Sequence, residues 1–178
     1  MEKTQNTNLH GPTLYLITGH TGAGKSTVAK KMAAEMPAFY LSHDELLVKA
    51  YGDNIDQLDF GDCCERMDQL IWKQAQQIFD LGINLVLEGY GTKEMRDGVR
   101  NEAETIGFDY RLVWIDCPAD IRLERVRQRN ESLNDEGFFI SDEDFFRMEE
   151  ANETIEAAEH AIVIPNASSA DLSKLLKP

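Results

Sequence analysis

Gly19-His20-Thr21-Gly22-Ala23-Gly24-Lys25-Ser26, followed by Thr27, has the spacing G-x-x-x-x-G-K-[ST], and each residue type in it has a use in binding phosphate. Glycines at 19, 22 and 24 allow backbone dihedrals closed to residues with a Cβ, so successive N–H groups can converge on phosphate oxygens. Lys25 can reach the β- and γ-phosphates, and the Ser26 hydroxyl can ligate Mg²⁺. The alternative is an ordinary glycine-rich turn between a strand and a helix. The flanks decide between them. Leu14-Tyr15-Leu16-Ile17-Thr18 is an apolar run of buried-strand type, and residues 28–36 are rich in helix formers and closed by Pro37. The expected ligand of the loop is a nucleoside triphosphate with Mg²⁺.

Other reactive side chains follow further strand-like runs. Ala38-Phe39-Tyr40-Leu41-Ser42 leads into His43-Asp44. An aspartate there can take the proton of an acceptor hydroxyl as it attacks a γ-phosphate; alternatively, it caps the helix that follows. His43 is open between a substrate contact and a surface residue. Leu85-Val86-Leu87 ends in Glu88, a site for a metal-orienting or substrate-binding carboxylate, and it is favoured over Asp116 at the end of a later run. Arg122, Arg125 and Arg129 fall on one face of a helix at 100° per residue, with Arg127 pointing elsewhere. This row suits a lid closing on phosphates, or a solvated face paired with neighbouring carboxylates. Tyr90 and Arg96, with His43, Asp44 and Glu88, are the candidates for contacting the acceptor.

These residues need a scaffold that gathers them. Five strand-like runs alternate with helical patterns, which implies a parallel sheet covered on both faces, with ligands at the carboxyl ends of the strands. Asn166, past the last run, joins the nucleotide-binding candidates for that reason. A long amphipathic helix is expected at 62–81, with Cys63, Cys64, Met67, Leu70, Ile71, Ala75, Ile78 and Phe79 on its core face. Thr92 and Gly107 bracket another helix. A charged helix covers 119–130, a mobile polar loop 131–140, a long acidic helix runs from 141 to about 159, and a terminal helix spans 168–176. Residues 1–12 read as a flexible arm and 13–178 as one domain.

The 178 residues carry 32 acidic and 18 basic side chains, a formal net charge of −14. Such a surface repels phosphodiester backbones and anionic membranes, which argues against nucleic acid as the main partner. No run approaches the ~20 apolar residues of a membrane span. Cys63, Cys64 and Cys117 lack metal-site spacing and suit reduced thiols in a cytoplasmic protein.

The blocks 19–27, Ser42-His43-Asp44, Leu85-Val86-Leu87-Glu88-Gly89 and 122–129 together resemble the small P-loop kinases, the branch of AAA-type ATP-binding kinases that includes the polynucleotide kinase domain, chloramphenicol phosphotransferase and zeta-toxin-like kinases. The resemblance runs from Thr13 to Leu176. It implies an α/β, three-layer P-loop NTPase fold with a five-stranded parallel sheet in the order 2-3-1-4-5 and a helical lid. It also implies Asp44 as general base and Arg125 and Arg129 on the transferring phosphates. Polynucleotide kinases carry an arginine shortly after the catalytic aspartate, where this chain has Leu46, Leu47 and Val48. The expected activity is therefore ATP-dependent phosphotransfer to a hydroxyl of a small molecule. A polynucleotide 5′-hydroxyl kinase is the second reading and a nucleotide-hydrolysing switch the third. Guanine-recognition elements N-K-x-D and D-x-x-G are absent from the sequence, which favours ATP.

Overall fold

In the computed structural model, residues 11–52, 57–131 and 139–165 are described. Strand β1 (Thr13–Thr18) runs through the glycine loop into α1 (Lys25–Glu35), followed by β2 (Ala38–Ser42) and α2 (His43–Tyr51). Then come α3 (Phe60–Asp80), β3 (Asn84–Glu88), α4 (Lys93–Ile106), β4 (Asp109–Asp116), α5 (Ala119–Glu131), α6 (Asp142–Ala151) and β5 (Ile162–Pro165). All strand pairs are parallel, in the order β2-β3-β1-β4-β5 expected for this architecture.

The inner strands β1, β3 and β4 are apolar on both faces because helices cover both. Alternate residues diverge into two layers. Ile17, Val86, Val113 and Ile115 pack against Val28, Ala29 and Met32 of α1. Leu14, Leu16, Leu85, Leu87 and Leu112 pack against Ile71, Ala75 and Ile78 of α3 and Val99 and Ala103 of α4. Glu88 is two residues beyond Val86 and in register with Ile17. The same alternation therefore turns its carboxylate toward α1, where Ser26 lies.

Helix starts follow their capping residues. Ser42, Asp59, Thr92 and Ser141 each accept a backbone N–H from the first turn of α2, α3, α4 and α6, and Gly107 closes α4 in the left-handed conformation. The core face of α3 is buried at Cys63, Met67, Ile71, Ala75 and Ile78, but Leu70 is exposed because it lies at the edge of the stripe. Cys63 and Cys117 are buried free thiols and Cys64 is a half-buried one.

The acidic helix is shorter than its sequence suggests. It ends at Ala151, with Asn152 in an extended conformation, and a 3₁₀ turn at Ala157–Glu159 replaces its expected last turns. Tertiary bonds divert the chain there: the Glu153 N–H donates to the Gly91 carbonyl, and the Arg96 guanidinium donates to the Glu153 carbonyl. No described helix is long and apolar enough to cross a membrane. The expected N-terminal arm up to residue 10, the expected mobile loop at 132–138, the terminal helix at 168–176 and the candidate Asn166 lie outside the described residues.

Candidate active site

The loop between β1 and α1 is shaped by its glycines. Gly19, Gly22 and Gly24 have φ of 142°, 80° and 97°, values that side chains with a Cβ rarely adopt. Space forbids a Cβ as well. At Gly19 it would stand 2.6 Å from the Ile115 carbonyl oxygen, and at Gly22 2.5 Å from that of Arg122. Gly24 begins α1 without a side-chain cap, and no acidic residue occupies the helix's first turn. In contrast with α2, α3, α4 and α6, the first N–H groups of α1 are thus left to an anion drawn by the positive helix end.

Lys25 folds back over this loop and donates to the His20 carbonyl at 3.1 Å. It is half-buried rather than exposed as expected of a lysine in an open loop. Burial pulls its pKa below the ordinary 10.5, opposed by the charges of Asp44 and Glu88 and assisted by those of Arg122 and Arg129. The Ser26 hydroxyl donates to Glu88 Oε1 at 2.6 Å. Asp116, the alternative carboxylate, is exposed at the end of β4.

Across the cleft, Asp44 occupies the first turn of α2. Its side chain is 72 % exposed, open to the cleft. Ser42 holds the cap position of α2, so Asp44 is not the helix cap that its sequence context allowed. Crowding by protein atoms raises the Asp44 pKa, but the neighbouring His43 and the charge of Lys25 outweigh it and hold the carboxyl below the ordinary 3.8. His43 stands 3.7 Å from Asp68 of α3 and packs against the Tyr90 ring at 5.5 Å between centroids. Tyr90 has a left-handed φ of 64°; its carbonyl accepts from Thr18 and its hydroxyl donates to Asp68 at 2.7 Å. The resulting cleft of about 210 Å³ is lined by Thr18, Lys25, Asp44 and Tyr90 and roofed by Met148 and Asn152 of the α6 end. A larger hollow of about 590 Å³ beside Lys93, Asp97 and Asn101 is an open surface depression away from the loop.

The arginine row divides by depth. Arg122 is buried and spans from the Cys117 and Thr21 carbonyls to both oxygens of Glu149, at 2.6 Å each. It is a strut joining α5, the loop and α6. The same Glu149 lies 3.2 Å from His20 Nδ1, and the His20 ring meets Trp114 edge-on, so only the backbone of His20 serves the loop. Arg125 donates to the Ala23 carbonyl at 3.2 Å, within the glycine loop. Arg129, one turn on, is exposed and contributes its charge toward Lys25.

Arg96 departs from its expected place in the acceptor pocket. It is 1 % exposed, with Nε and Nη2 on the two oxygens of Glu159 and Nη1 on the Gly91 and Glu153 carbonyls. This clasp fixes the segment after α6 to the turn after β3. Glu159→Gln would leave a buried guanidinium without its counter-charge and should cost about 3–5 kcal/mol, read by urea unfolding at pH 7. Arg96 holds the Glu159 carboxyl below its ordinary 4.5, so this stabilisation is complete above that pH and is lost as the pH falls through the lowered value. The wild-type advantage over Glu159→Gln should therefore shrink in acid.

Sequence reasoning missed Asp68, Tyr40 and the α6 roof. Asp68 lies outside the core face expected for the 62–81 helix, so no local pattern singles it out. Tyr40 carried a signal, since it precedes Ser42 by two in a strand and so shares the face on which Glu88 lies.

A family model described as an AAA domain matches residues 14–155. The chain belongs to this AAA domain family. The AAA domain here has the P-loop kinase-like fold. Among solved structures, it resembles a sugar kinase from Janibacter at 16 % identity and a TM-score of 0.66, covering 93 % of this chain and 92 % of that one. A gluconokinase from Sinorhizobium meliloti matches at 16 % identity and 0.63, covering 93 % and 94 %. A chain of the Pnkp1/Rnl/Hen1 RNA repair complex matches at 21 % identity and 0.64; the match covers 83 % of this chain and 45 % of that larger one. Comparison with curated protein sequences gives no match. At these identities the neighbours establish the fold alone.

Proposed function

We propose that this AAA domain transfers the γ-phosphate of ATP to a hydroxyl group of a small molecule. The reading rests on one arrangement: a phosphate loop with open N–H donors and Lys25 faces, across a single cleft, a carboxylate of depressed pKa on another element, Asp44. In this reading the backbone from Gly19 to Thr27 and Lys25 hold the triphosphate. Asp44 receives the proton of the acceptor hydroxyl as its oxygen bonds to the γ-phosphorus and the bond to the bridging oxygen of ADP breaks. Arg125 and Arg129 offset the charge that develops on the phosphoryl oxygens.

The residues also fit Mg²⁺. Ser26 and Glu88 present hard oxygen donors 2.6 Å apart beside the loop, and Mg²⁺ takes few protein ligands, completing its shell with water and phosphate oxygens. When bound, the ion neutralises charge on the β- and γ-phosphates.

Lys25 is the one basic side chain among the described residues lining the cleft, and Asp44 and Asp68 bring negative charge to the acceptor side. A small uncharged hydroxyl compound suits this better than an anion. The likeness to a chain of an RNA repair complex favours one further reading, a polynucleotide 5′-hydroxyl kinase. Transfer from γ-labelled ATP should be followed with sugars, polyols, nucleosides and oligonucleotides bearing free 5′-hydroxyls. Label on a small molecule is expected. Label on oligonucleotides alone would replace the first reading by the second, and release of inorganic phosphate with every acceptor would point to a nucleotide-hydrolysing switch.

A further inference from the structure

Glu88 is 4 % exposed, and each of its oxygens has its own hydroxyl donor. Ser26 donates to Oε1 at 2.6 Å and Tyr40 donates to Oε2 at 2.6 Å. The two donors come from different elements, α1 and β2, and meet the carboxylate at the end of β3. The strand register makes this possible: Ser42 pairs with Glu88 and Tyr40 with Val86, so the phenol of Tyr40 extends along the face of the sheet toward the Glu88 carboxylate.

The rest of the Tyr40 environment leaves its proton to Glu88. The second carboxylate within reach, Glu45, lies 3.2 Å from the phenol oxygen but is paired with Lys30 at 2.7 Å. Lys30 also stands over the Tyr40 ring, 5.6 Å from its centroid. A phenol carries one proton, and the shorter contact takes it.

We infer that Tyr40 is a positioning residue for the metal site: its hydroxyl fixes one oxygen of Glu88 so that the other is presented beside Ser26. A carboxylate with one oxygen anchored cannot swing away from the loop, and groups that orient a metal-binding carboxylate typically matter by about 10–100-fold in metal affinity. This role rests on the Mg²⁺-nucleotide reading of the loop given above.

The test needs no acceptor. Affinity for a fluorescent ADP analogue is titrated against Mg²⁺ in the wild type, Tyr40→Phe, Glu88→Gln and the double variant. Tyr40→Phe retains the ring under Lys30 and removes only the hydroxyl. Its Mg²⁺ midpoint should rise by about 10-fold or more while Mg²⁺-free affinity stays within about two-fold. In the Glu88→Gln background the same change should move the midpoint by less than about two-fold, because the residue it acts through is altered. An unchanged midpoint in Tyr40→Phe, even with a lowered melting temperature, would overturn the inference and leave Tyr40 a structural residue. An equal shift in both backgrounds would overturn it too, by separating Tyr40 from Glu88. A wild type that binds the analogue equally with and without Mg²⁺ would instead overturn the metal reading itself.

Discussion

Asp44→Asn should lower phosphoryl transfer by roughly 10²–10⁴, the range for loss of a general base, with nucleotide affinity kept within a few-fold. The substitution preserves size and removes the proton acceptor. The cap of α2 is Ser42, so Asp44→Asn and Asp44→Ala should both leave thermal stability nearly unchanged, whereas Ser42→Ala should cost about 1 kcal/mol. The pH profile offers an independent check. Crowding works against ionisation of Asp44, but His43 and Lys25 keep its carboxyl below 3.8, so the base is already ionised throughout the neutral range. Activity limited by Asp44 should therefore hold level down to the acid edge of stability, with no limb near pH 6–7 from this group. Steady-state transfer and melting curves for the three variants measure all of this. A fully active Asp44→Asn protein would remove Asp44 from the mechanism.

Lys25→Met should abolish most transfer, by at least about 10²–10³, the cost of removing one preorganised donor to developing charge. It should also weaken nucleotide binding, because no other basic side chain among the described residues lines the cleft. Its effect on the fold should have the opposite sign. Burial depresses the Lys25 pKa despite the attraction of Asp44 and Glu88, so at neutral pH the folded state holds this charge less favourably than the unfolded chain does. Removing the charge while keeping the aliphatic stem should leave the melting temperature equal or raised. Calorimetry beside a transfer assay measures both. Near wild-type turnover would mean that the glycine loop is not a nucleotide site, and a strongly lowered melting temperature would mean that the Lys25–His20 contact holds the loop together.

The two variants separate the halves of the cleft. In the proposed mechanism, Lys25→Met disables the side that binds phosphate and Asp44→Asn the side that receives the acceptor's proton. The two charges differ in environment: His43 and Lys25 favour the ionised Asp44 carboxylate against the crowding around it, whereas burial disfavours the charged Lys25 despite Asp44 and Glu88.

Local sequence determined a good deal of this protein. Glycines at 19, 22 and 24 with Lys25 and Ser26 specify the phosphate loop, because only glycine tolerates those dihedrals and no other local pattern needs that set. The five strands and the cap at Thr92 were equally legible, since alternation, capping and turn chemistry act within a few residues. Tertiary structure decided what sequence could not. Arg96 and Arg122 read as surface cations suited to ligands, yet carboxylates brought from 63 and 27 residues away bury them as clasps. The acidic helix stops at Ala151 because the turn after β3 captures its continuation. Tyr40 and Ser26 meet at Glu88 only once three strands and a helix have assembled. A side chain's type fixes what it can bond to, but the partner that burial supplies decides which of those bonds it makes.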